Sequence, residues 1–158
     1  MDYKKLIPDF SVIAKTDWAK PHIDTKDKNW LILAGAALLM VVFAFIPWQT
    51  ATIKVASFNT LGVATWYGFL GLLSALVVVY GVLYNQIKFV FCGAVLAAFL
   101  GLLGCILVAG YSGVPASAVA IGVKAGAVTV SHIGAILFLV ASLAAAAVSF
   151  LQIKKENE

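Results

Sequence analysis

The chain has 158 residues, is 63% hydrophobic and carries a formal net charge of +4, with a mean hydropathy of +1.01. A soluble domain is about half apolar, so this excess is more than one small core buries, and a bilayer is the expected solvent for most of it. The positive charge comes from lysine alone against Asp and Glu. Nucleic-acid surfaces cluster their basic residues and usually include Arg, so no nucleic-acid partner is expected.

The N-terminal tail, residues 1–29, holds most of the charge. Pro8-Asp9 is a helix start signal. Phe10, Ile13, Ala14 and Trp18 follow at roughly helical spacing until Pro21. This pattern predicts a short amphipathic segment, lying either on the membrane interface or against a partner protein.

Beyond Lys28 the chain changes character. Up to Lys154 its only charged residues are Lys54, Lys88 and Lys124. They separate four apolar segments, Trp30–Pro47, Trp66–Tyr84, Phe89–Tyr111 and His132–Leu151, none of which contains Asp, Glu, Lys or Arg. Each is close to the ~20 residues that a helix needs to cross the hydrocarbon core. The expected fold is an all-α integral membrane protein, an antiparallel bundle of four transmembrane helices over residues 30–152. The first segment lacks a small-residue cleavage site and reads as a retained anchor, not a signal peptide.

Lysine counts set the expected orientation. The N-terminal tail, Lys88 and the C-terminal tail 153–158 together hold nine lysines, against Lys54 and Lys124 on the other side. Lysine-rich segments stay in the cytoplasm, so both termini are expected there, with a bacterial inner (plasma) membrane as the location. Trp30 and Tyr84 at one level, and Trp48, Trp66, Tyr67 and Tyr111 at the other, are read as headgroup anchors.

The connection Asn85-Gln86-Ile87-Lys88 is too short for anything but a tight hairpin of antiparallel helices. The two longer loops, Trp48–Thr65 and Ser112–Ser131, are poor in charge. Thr50–Phe58 and Val119–Val130 carry the β-branched residues of strands. A small β-layer built from both loops is predicted over the outer helix ends. Gly62-Val63-Ala64-Thr65 and Gly126-Ala127-Val128-Thr129 mark a faint two-fold repeat.

Chemistry is sparse. Transport usually requires an ionisable residue inside the bilayer, and the four segments have none. His22 and His132 are predicted on opposite sides of the membrane. Cys92 and Cys105 are thirteen residues apart on one helix, roughly 20 Å at ~1.5 Å per residue, and cannot pair. No catalytic, cofactor or metal motif is present, so no enzymatic activity, cofactor or metal is expected. Ser74, Ser142 and Ser149 are expected to bond to their own helix backbones.

What the segments do contain is small residues at every fourth position. Gly93, Ala97, Gly101, Cys105 and Ala109 form a stripe along the third. Gly71 with Ala75, and Ala141, Ala145 and Ser149, repeat it in the second and fourth. Helices in lipid associate through close backbone approach at small residues. These positions are therefore the candidate helix-packing or interface residues, serving either the chain's own bundle or another subunit. The layout resembles that of tetraspan proteins such as claudins, although the paired outer-loop cysteines of claudins are absent. The expected function is a non-enzymatic structural or accessory membrane subunit in a homo-oligomer or with other membrane subunits. The alternative is a passive pore or lipid-handling protein formed by several copies.

Overall fold

The computed structural model describes residues 6–53, 56–109 and 129–156. In chain order the elements are α1 (Ser11–Lys15), α2 (Lys28–Ala44), β1 (Pro47–Ile53), β2 (Ala56–Leu61), a 3-10 turn (Gly62–Ala64), α3 (Trp66–Leu83), α4 (Ile87–Ala109), β3 (Thr129–Ser131) and α5 (Ile133–Glu156). Three of these helices, α3, α4 and α5, are long and apolar enough to cross a membrane.

The first predicted span is shorter than expected. Its apolar segment runs Trp30–Pro47, but α2 ends at Ala44 after 17 residues, about 25 Å at ~1.5 Å per residue. Asp27 starts it, its carboxylate accepting from the Asn29 N–H at 2.9 Å. At the other end the bonds tighten: Phe45 N–H donates to Val42 O and Ile46 N–H to Phe43 O. Proline disfavours helical backbone in the residue before it. Pro47 thus turns the chain out of the helix and opens β1.

The β-layer is present, with antiparallel order β2-β1-β3. β1 and β2 come from the first loop, and Thr129–Ser131 of the second pairs with Thr50–Thr52. The rest of the predicted second strand lies outside the described residues, as do Lys54, Lys124 and Tyr111. The β1–β2 register shifts between Pro47 and Gln49. A bulge of this kind re-aims a side chain, and the residue at the shift is Trp48.

The hairpin of α3 and α4 closes as predicted, through a specific cap. Asn85 sits at φ 52°, Gln86 N–H donates to Gly81 O at 2.7 Å, and Asn85 N–H donates to Val82 O at 3.4 Å. This is the Schellman arrangement, in which a left-handed residue, often Gly or Asn, ends the helix. Thr65 starts α3, its hydroxyl oxygen accepting from Gly68 N–H at 3.1 Å.

The core runs between α2, α3, α4 and α5. Met40, Ala44, Ala75, Val78, Ala94, Ala97, Ala135, Phe138 and Ala145 are fully buried there. Long side chains such as Leu38, Leu73, Leu96, Phe99 and Val140 point outward. Small inside and bulky outside is the arrangement for a bundle whose surroundings are as apolar as its side chains.

Candidate functional site

The small-residue stripes lie inside the chain's own bundle. A Cβ on Gly93 would stand 3.0 Å from Val78 and 3.1 Å from the Ser74 carbonyl, so Gly93 seats α4 on α3. A Cβ on Gly101 would stand 3.2 Å from the Cα and Cβ of Leu139 and from the Phe138 ring, so Gly101 seats α4 on α5. Four residues overshoot one helical turn by about 40°, so two steps carry the stripe from one neighbour to the next. Ala97, between them, is fully buried, and Cys105 packs against the edge of the core. Ala109 is the last residue of α4.

The other stripes end the same way. Gly71 faces Phe138, with a Cβ there 3.2 Å from the ring. Ala75, Ala141, Ala145 and Ser149 are buried. Ser74, Ser142 and Ser149 donate to Leu70 O, Leu139 O and Ala145 O at 2.9, 2.8 and 2.7 Å. Among the described residues no buried side-chain nitrogen or oxygen lacks a partner.

The aromatic residues divide. Trp66 is exposed, its ring edge-on to Tyr67. Trp30 is half-buried and donates its indole N–H to Val82 O at 3.3 Å. Trp48 and Tyr67, expected as headgroup anchors, face the interior instead. Trp48 has no exposed surface; its ring lies 5.0 Å from Phe138 and 5.8 Å from Tyr67, centroid to centroid. The indole N–H donates to Phe43 O at 2.9 Å, which satisfies a carbonyl in the last turn of α2. The β1 bulge and this hydrogen bond together account for the inward ring.

Glycines from four elements make room for that ring. Gly62 of the 3-10 turn, Gly71 of α3, Gly104 of α4 and Gly134 of α5 all approach it. At Gly104 a Cβ would stand 2.9 Å from two ring carbons, and at Gly134 3.0 Å from a third. A signal for this existed in the sequence, since the sheet-facing ends of α3, α4 and α5 carry glycines. Only the fold reveals that Gly71, Gly104 and Gly134 meet one ring.

At the opposite end of the bundle the N-terminal segment docks on α3 and α4. α1 is a single short turn; Ser11 N–H donates to the Asp9 carboxylate at 2.9 Å. Those hydrogen bonds from Ser11 hold the Asp9 carboxyl below its ordinary range. Phe10 meets Phe89 edge-on at 5.5 Å. Trp18 packs on Tyr80 and Tyr84 at 5.5 and 5.4 Å. Thr16 and Tyr80 share a hydroxyl hydrogen bond of 2.7 Å. Tyr84 OH donates to Trp18 O at 3.1 Å, and His22 N–H donates to Leu83 O at 2.6 Å. The segment thus lies on its own chain, with Phe10 and Trp18 still largely exposed on their outer sides.

Beneath this segment an apolar groove of about 620 Å³ runs between the outward faces of α3 and α4. Leu73, Val77 and Leu96 form its sides, Ser74 and Gly93 lie along it, and Phe10, Ile13 and Trp18 close one end. Comparison with family models, curated proteins and solved structures finds no match for this chain.

Both cysteines are free, and the Cys92 thiol lies 3.6 Å from the Leu6 carbonyl. Among the described residues no group of three or more His, Cys, Asp or Glu is placed to hold a metal ion. The arrangement offers apolar surface, an aromatic collar and a small sheet. Among the described residues it brings together no acid, base and nucleophile.

Proposed function

We propose that the chain is a non-enzymatic structural or accessory integral membrane protein. In this reading α2, α3, α4 and α5 all span the bilayer, with both termini in the cytoplasm and the sheet on the far side. The observation that carries it is the division of side chains: a closely packed interior of small residues without charge, and four helices that present bulky apolar faces outward. α2 takes part through exposed Leu31, Ile32, Leu38, Leu39 and Val42, which favours a fourth span despite its length. Because the glycine and alanine stripes are consumed within the bundle, contacts with other subunits fall to the outward faces, the sheet and the N-terminal segment.

Gentle extraction, mass measurement and identification of co-purifying chains test this role. Stoichiometric foreign subunits or a defined homo-oligomer support it, and a lone monomer with no partner counts against it. A second reading, lipid handling, draws on the groove between α3 and α4, which opens toward the surface where lipid would lie.

A further inference from the structure

We propose that the groove between α3 and α4 is a binding site for one acyl chain of a membrane phospholipid, drawn from the leaflet on the side of the N-terminal segment. The proposal deepens the lipid-handling reading and rests on α3 and α4 spanning the bilayer. It does not depend on the accessory role.

Dimensions point to an acyl chain. Along α3 the groove extends from Leu70 to Tyr80, and along α4 from Phe89 to Leu100. Ten or eleven residues rise about 15–17 Å, roughly half of a ~30 Å hydrocarbon core. That is the reach of a single leaflet. A transmembrane helix of a partner would need the full thickness. It would also meet Phe10, Ile13 and Trp18 where they close the groove.

Chemistry agrees with the dimensions. The lining is almost wholly apolar, and the Ser74 hydroxyl is already spent on the Leu70 carbonyl at 2.9 Å. A polar ligand would find no free partner along this wall. A saturated or unsaturated hydrocarbon chain requires none. At the closed end the Tyr80 hydroxyl is engaged with Thr16 and the Tyr84 hydroxyl with the Trp18 carbonyl, so it is the rings of Tyr80 and Trp18, both bordering the groove, that mark the level where a glycerol backbone would emerge. Such amphipathic rings belong at the headgroup level. The N-terminal segment would then hold the chain laterally, making the site more than an ordinary patch of lipid-facing surface.

The test uses the full chain reconstituted in phosphatidylcholine bilayers doped with a phosphatidylcholine that carries a photoactivatable diazirine in its acyl chain. Adducts are mapped by mass spectrometry. Leu73, Val77 and Leu96 should be labelled several-fold more than Val140 and Leu143 of α5, although all five are comparably exposed. Leu73→Trp, which fills the groove from its rim, should bring labelling of Val77 and Leu96 down to the α5 level without loss of thermal stability. Equal labelling of the two faces in the unaltered chain overturns the site. Groove labelling below that of α5 overturns it in favour of a covering second copy. Absence of labelling on either face overturns the membrane-spanning reading itself.

Discussion

The indole ring of Trp48 rests on the backbone of Gly104, so closely that a Cβ at position 104 would stand 2.9 Å from ring carbons Cε3 and Cζ3. The contact joins β1 to α4, and the same ring touches Phe138 of α5 and Tyr67 of α3. One side chain therefore ties the sheet to three helices. Gly104→Ala is expected to force ring or helix to move, at an overpacking cost of about 1–3 kcal/mol. Thermal unfolding in detergent measures it, and an unchanged midpoint would refute the close contact.

Removing the ring should be worse than crowding it. Trp48→Ala leaves an aromatic-sized cavity at a site with no exposed surface, a loss of about 3–5 kcal/mol for a large aromatic side chain. Trp48→Phe keeps most of the volume but deletes the indole donor to Phe43 O; that carbonyl keeps its bond from Ile46 N–H, so the loss is that of one hydrogen bond, about 0.5–1.5 kcal/mol. The expected order of stability is wild type, then Phe, then Ala. If Phe matches wild type, the hydrogen bond is irrelevant to folding.

Gly101→Leu distinguishes internal packing from subunit docking. The new side chain would collide with Leu139 and Phe138 of the same chain. We expect reduced thermal stability and reduced yield, while the assembly size of the folded fraction is unchanged. Loss of assembly with stability intact would instead place Gly101 at a subunit interface.

The N-terminal segment should be separable from the bundle. Its docking relies on the Trp18 ring pairs, each worth about 0.5–1.5 kcal/mol beyond burial, and on a few hydrogen bonds. Its exposed ion pair, Lys20 with Asp17 at 3.4 Å, adds little, since exposed pairs contribute about 0–1 kcal/mol. Trp18→Ala should speed tryptic cleavage after Lys15 and leave the bundle's unfolding midpoint nearly unchanged. An unaltered cleavage rate would argue that the ring does not anchor the segment.

Orientation has its own check. Asn59 lies in β2 and is exposed. A cysteine introduced there should react with a membrane-impermeant maleimide in intact cells. Reaction only after permeabilisation would invert the proposed topology.

Much of this fold was legible in the sequence. Charge-free stretches of span length and the short Asn85–Lys88 link marked helices and hairpin, because the cost of burying charge and the reach of a four-residue turn are local properties. The β-branched loops marked a sheet for the same reason. The end of α2 was misplaced: hydropathy continues smoothly through Phe45-Ile46-Pro47, and the backbone restriction imposed by Pro47 carried the boundary instead. The small-residue spacing offered candidate packing positions but not the neighbours they would meet, since a four-residue repeat drifts around the helix and can serve two neighbours in turn.

Trp48 separates what each level decided. By itself the sequence determined the long apolar helical segments, the hairpin and the small side chains available for close packing, all of which follow from composition and short-range spacing. Whether a tryptophan at the end of a span faces headgroups or core depends on a bulge in β1, a carbonyl five residues back and glycines up to 86 positions away. Likewise the docking of Phe10 and Trp18 on Phe89, Tyr80 and Tyr84 joins residues that no periodicity links. Those decisions belong to the tertiary structure, because the energy of a buried ring comes from neighbours that only folding assembles.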